Sequence, residues 1–187
     1  MIDAAGSVAL RVKKRIAYVF LVGALNFIVV SSAHSAQCPQ AALVQDAADA
    51  FKTAARNGSA QGFANATSRF ADMRGLALFA LGSYRSSLPA DQEAHYVSLA
   101  KKFMGRFMAD NAGSISGGDI KITSCSDQII NARFSGGTSL VFHLSGGRIA
   151  DVSVAGFSIA QAMRSKFTGI IHDHNGDIDA LLSYLER

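Results

Sequence analysis

Tryptophan is missing from this 187-residue sequence, and cysteine and proline occur only twice each. Without tryptophan, the aromatic bulk of an interior has to come from twelve phenylalanines, with four tyrosines beside them. Two cysteines, Cys38 and Cys125, permit one intrachain bridge at most, and such a bridge persists in an oxidising compartment. The local signatures of catalysis are absent as well. There is no G-x-S-x-G, no H-E-x-x-H, no P-loop and no G-x-G-x-x-G. The segment from Asp173 to Asp179 starts like a calcium loop. However, Ile178 stands where that loop needs glycine and Tyr184 where it needs glutamate. No metal and no cofactor are expected.

Long apolar runs are also scarce, and the one that exists lies near the N-terminus. Arg11, Lys13, Lys14 and Arg15 precede fifteen uncharged residues, Ile16 to Val30, followed by Ser-Ser-Ala-His-Ser-Ala ending at Ala36. A basic stretch, a short apolar stretch and a small-residue site make a secretory signal peptide. A membrane span needs about 20 apolar residues, and Asn26 interrupts this run. Residues 1–36 are therefore expected to be an export signal, cut after Ser35 or Ala36, with residues 37–187 as a single domain in the periplasm. The whole chain has 18 basic and 14 acidic residues, but removing the signal leaves a net charge of +1. The basic excess belongs largely to the signal, so nucleic acid is not an expected partner.

Periodicity then divides the rest into helices, a sheet and more helices. Val44, Ala47, Ala48, Phe51 and Ala55 make one face of a helix over 41–56, stopped by Asn57-Gly58. A second helix is expected over about 60–70, and a third, strongly apolar, through Phe70 to Leu88. Pro89, with Asp91 and Glu93 behind it, marks the start of a long helix reaching Asp110. Beyond the break at 111–118, four short segments alternate and are separated by Ser/Gly/Asp turns: 121–124, 128–134, 138–144 and 148–154. They read as a four-stranded antiparallel sheet. Helices over 158–173 and from Ile178 to Leu185 close the chain. The fold class is α+β.

Two stretches resemble a known family. Gly75 to Phe107 carries a Leu-Gly before an aromatic-basic pair, a Ser/Thr-Pro-type turn and a long helix with spaced aromatics. Arg148 to Leu185 carries Asp151-Val152, Gly156, Ser158, Arg164-Ser165, Phe167 and Gly176-x-Ile178-Asp179. Both are similar to the MlaC (toluene-tolerance) proteins, including their hopanoid-associated, HpnM-like branch. Met163 stands where a tyrosine is usual and Lys166 where an acid is common. The resemblance implies a cystatin/NTF2-like sheet with helices folded over a hydrophobic pocket. It implies a monomeric carrier moving phospholipid between an outer-membrane lipoprotein complex and an inner-membrane ABC transporter bearing an MCE-domain protein. A hopanoid or other lipid stays open as cargo.

Two acyl chains carry about 30 methylenes at ~0.8 kcal/mol each, so exposing them costs on the order of 25 kcal/mol and a soluble carrier must enclose them. The walls expected from the inferred inward faces are Phe79, Phe103, Met104, Phe107, Phe134, Phe142, Phe157, Met163 and Phe167. Arg164 is the candidate for a headgroup phosphate, with Lys166 beside it as a second cation at the pocket mouth, and Cys38 with Cys125 the candidate disulfide. No catalytic residue is expected. A rival enzyme reading would have to rest on His95, His143 and Asp151, and a further rival is a structural envelope adaptor with a solid core.

Overall fold

A computed structural model describes residues 38–115 and 118–187. The export segment expected at 1–36 lies outside the described residues. Helix α1 (Ala41–Arg56) buries Val44, Ala47, Ala54 and Ala55, then stops at Asn57 before Gly58, whose φ of 57° is left-handed. Helix α2 (Ala60–Phe70) starts at Ser59, where the Gly62 N–H donates to the serine Oγ at 2.9 Å. Helix α3 (Met73–Ala80) is capped in the same way by Asp72, which accepts from the Gly75 N–H at 2.9 Å.

The expected continuous helix through Leu88 ends early. Gly82 adopts φ 57°, and the chain continues as a 3₁₀ turn, Gly82–Ser87. A Cβ at Gly82 would lie 3.1 Å from the Arg164 Nε and 3.0 Å from the Thr168 methyl. Close packing on a later helix therefore decides this break. A second 3₁₀ turn, Ala90–Gln92, follows Pro89 and leads into α4 (Glu93–Asp110). A one-turn helix, α5 (Ala112–Ile115), interrupts the break expected after Asp110.

Helices α2 and α4 touch backbone to side chain at one glycine. A Cβ on Gly105 would sit 2.5 Å from the Ala60 carbonyl oxygen and 2.9 Å from the Ala64 Cβ. A helix backbone cannot yield as a flexible side chain can. Gly105→Ala is therefore expected to lower stability by about 2 kcal/mol in urea unfolding, although alanine favours helix. An unchanged or raised midpoint would show that the two helices separate freely. Elsewhere in α4, buried Tyr96 donates its hydroxyl to the Ala77 carbonyl of α3 at 2.7 Å. Burial pushes the phenol far above its ordinary pKa, so it remains a donor at any working pH.

The sheet runs in sequence order, every neighbour antiparallel: β1 (Ile120–Cys125), β2 (Ile129–Phe134), β3 (Ser139–Ser145), β4 (Arg148–Val154) and β5 (Phe157–Ser158). The expected four strands become five. Ala155 at φ 50° and Gly156 at φ 87° make a two-residue hairpin, which pairs Val154 with Phe157 and Ser153 with Ser158. Two residues are too few for alternation to reveal.

One sheet face buries Ile130, Ala132, Leu140, Phe142 and Leu144 with Val44, Ala47 and Phe70 from the first two helices. Arg148 staples the sheet to the end of α2 by donating to the Ala71 and Ser68 carbonyls, while the Asp72 N–H reaches the Ile149 carbonyl at 2.9 Å. Helix α6 (Ile159–Asp173) starts at Ser158, and α7 (Ile178–Glu186) follows a turn through left-handed Asn175 and Gly176. Among the described residues, no helix is long and apolar enough to cross a membrane.

Candidate functional site

A domain of this size ordinarily has one contiguous core. Here the buried side chains fall into separate clusters. One joins α3, α4, α6 and α7 around Leu81, Tyr96, Phe167, Leu181 and Leu185. Another joins the sheet to α1 and Phe70. Between them lies a cavity of about 1150 Å³. Ordinary ligand pockets hold about 300–1,000 Å³, so this one is at or beyond the upper end.

Its walls are apolar. The helical cluster contributes Leu76, Met104 and Met163, and the sheet cluster Phe70, Leu140 and Phe142. The pleat explains the sheet contribution, because residues two apart share a face. Thus Leu140 and Phe142 of β3, with their register partners Val154 and Val152 of β4, all line the space. At the rim, Phe107 is 47% exposed and Phe157 80% exposed. Phe157 is held there by the tight β4–β5 hairpin. Phe103 stacks on Phe107 with ring centroids 6.4 Å apart, continuing the aromatic surface inward.

Seven of the nine side chains expected as walls line the cavity: Phe103, Met104, Phe107, Phe134, Phe142, Phe157 and Met163. Phe79 and Phe167 do not. Phe167 is fully buried in the helical cluster, edge-on to Phe103 at 5.3 Å and to Tyr96 at 6.5 Å, and supports the wall from behind. Phe79 lies beside the buried stripe of α3 and is 38% exposed. The Arg164 guanidinium covers it at 5.1 Å from the ring centroid.

Arg164 is thereby committed to Phe79 and Gly82 and does not line the cavity. Lys166 does, since residues two apart on a helix point to nearly opposite sides. Phe51, Phe70, Ile120, Tyr184 and Arg106 also line the space. Phe51 lay on an apolar face already visible in the sequence. Nothing in sequence periodicity singles out Arg106, whose Nη2 donates to the Leu185 carbonyl at 2.7 Å.

Two charged side chains of the lining, Lys52 and Asp151, have structural partners. Lys52 of α1 forms an ion pair with Asp119 and holds that exposed carboxyl below the usual carboxylate range. Any stabilisation from the pair is present above the ordinary carboxylate pKa and is lost as the pH falls through the depressed one. Asp151 accepts from the Ser158 hydroxyl at 2.5 Å and the Ala160 N–H at 2.9 Å, fixing the start of α6.

His95, His143 and Asp151 are not brought together at the cavity. His143 is exposed on β3 opposite Asp151, and His95 lies 3.4 Å from Glu186 in an exposed pair. No histidine among the described residues lines the cavity. Among those residues, no group of three or more His, Cys, Asp or Glu side chains could hold a metal. Cys38, just before α1, is disulfide-bonded to Cys125 at the end of β1, with Cα atoms 5.8 Å apart.

Comparison with known proteins agrees with this architecture. A solved structure of a phospholipid-binding protein from Ralstonia solanacearum, in complex with a phospholipid, shares the fold with a TM-score of 0.62 at 15% identity. The match covers 78% of this chain and 93% of that one. No protein of curated function matches. The family model described as MlaC protein matches residues 41–187, from the first residue of α1 to the end of the sequence, and the chain belongs to that family.

Proposed function

We propose that this protein is a lipid-binding carrier that encloses the acyl chains of a phospholipid in the cavity between its helical and sheet core clusters. The carrying observation is the split core, with about 1150 Å³ of apolar space where a solid adaptor would have packed side chains. At roughly 30 Å³ for a group the size of a water molecule, that space holds about as many methylenes as two acyl chains contain. Methionines 104 and 163 in the wall can adapt to tails of differing shape. The related fold of the Ralstonia solanacearum protein, which binds a phospholipid, supports the reading.

In this reading the N-terminal 36 residues export the chain to the periplasm. There it works as a monomer, moving lipid between an outer-membrane lipoprotein complex and an inner-membrane ABC transporter with an MCE-domain subunit. The protein acts by enclosing and releasing its ligand, without a catalytic step.

The test is mass spectrometry of an organic extract of protein purified without detergent. The expected result is a diacyl phospholipid in about one-to-one ratio with protein. Protein free of lipid, and inert when mixed with donor and acceptor vesicles, would overturn the carrier reading. A hopanoid in the extract would keep the carrier and change its cargo.

A further inference from the structure

The cavity mouth carries cations whose arrangement the apolar walls do not explain. Lys166 of α6 is exposed, with its ammonium 5.1 Å from the Tyr184 ring centroid. Arg106 of α4 donates one N–H to the Leu185 carbonyl at 2.7 Å. Two helices thus deliver a cation each to consecutive residues of α7, at its C-terminal end, and exposed Arg187 follows two residues later. All three line the cavity.

Among the described residues, no carboxylate forms an ion pair with any of the three. Glu186 pairs with His95, and Asp151 caps α6. Asp110, one turn beyond Arg106, is the remaining acid among the lining residues and forms no ion pair. Lys52, the fourth cation of the lining, is used by Asp119. A guanidinium has five donors and an ammonium three, so Arg106 and Lys166 keep most of theirs free.

We infer that the mouth selects by headgroup charge, taking phosphate-bearing diacyl lipids of net negative charge in preference to zwitterionic ones, with Lys166, Arg106 and Arg187 as the specificity-determining residues. The inference rests on the proposed lipid site, since tails in the cavity leave the headgroup at its mouth. A phosphate next to a neutral polyol meets the three cations and brings no positive charge of its own. An ethanolamine headgroup brings its own ammonium into the same field, which offsets the attraction. These cations are partly in water, so the preference is modest and sensitive to salt.

The experiment offers delipidated full-length protein an equimolar mixture of phosphatidylglycerol and phosphatidylethanolamine with matched acyl chains. The mixture is carried in neutral detergent micelles, so that attraction to a charged bilayer plays no part. The protein is re-isolated and its lipids are quantified. The expected result is about threefold to tenfold enrichment of phosphatidylglycerol, falling towards parity in K166E and R187E and in 0.5 M salt.

Both substitutions are at exposed positions, so folded variants are expected. Uptake of the two lipids at the input ratio, or enrichment that survives in both variants, would overturn the charge selection while leaving the carrier intact. Uptake of neither lipid would defeat the carrier reading, and this inference with it.

Discussion

Ala48→Trp is expected to reduce co-purified lipid more than tenfold while leaving the fold in place. Ala48 is half-buried in α1 and its side chain faces the cavity, so an indole there occupies space that acyl chains would otherwise fill. A well-packed core would resist such an insertion by about 1–3 kcal/mol or more. Here the new ring enters open apolar volume, and the thermal midpoint of the lipid-free protein should move by only a few degrees. Ala162→Trp on α6 approaches the same space from the opposite wall and should act in the same way. Phe79→Ala is the matched control. Its ring lies outside the cavity beneath Arg164, so bound lipid should not change. Lipid content retained in both tryptophan variants would place the ligand elsewhere.

Removal of the Cys38–Cys125 bond carries the largest expected effect on stability. The bond joins residues 87 positions apart, and closing a loop of that length restricts the unfolded chain by about 4–5 kcal/mol in the chain-entropy account. Replacing both cysteines by serine should lower the thermal midpoint of the lipid-free protein by roughly 10–15 °C. Reduction of the native protein by a thiol should give the same shift. Helix α1 feels the loss most, because the bridge lies just before its first turn. Its ion pair at the sheet edge, Lys52 to Asp119, is exposed and screened. As α1 contributes Ala47, Ala48 and Phe51 to the cavity wall, lipid should also exchange faster in the reduced protein. Identical unfolding midpoints in oxidised and reduced protein would remove the bridge from the account.

How much of this was legible in the sequence depended on the range of each interaction. Helices α1 and α2 have the bounds their apolar periodicity and Asn57-Gly58 predict, because local spacing and local turn chemistry set both. The sheet side of the cavity was legible for a similar reason, since alternation places Phe134 and Phe142 inward. The helix expected through Leu88 failed at Gly82, where contact with Arg164 and Thr168, some eighty residues later, favours a glycine turn. Phe79 and Phe167 lie off the cavity for a related reason. A hydrophobic side chain on a helix declares that it is apolar, but not whether it faces a cavity, a solid core or a covering guanidinium. Of Arg164 and Lys166, both candidates for the mouth, only Lys166 lines the cavity, because the rotation of α6 against α3 and α7 decides which of the two reaches it.

The sequence by itself determined the α+β class, the succession of helices, sheet and helices, and the family to which the chain belongs. Periodicity, turns and the motifs around Asp151 and Gly176 are local and survive in one dimension. Only the tertiary structure decided that the core is divided, which cations stand at the opening, and that Cys38 meets Cys125 across the α1–β1 edge. The physical reason is that a cavity is a property of surfaces that fail to meet. Whether two apolar faces close on each other or leave space depends on helix angles, a glycine contact at 105 and the register of a five-stranded sheet, none of which any one segment specifies.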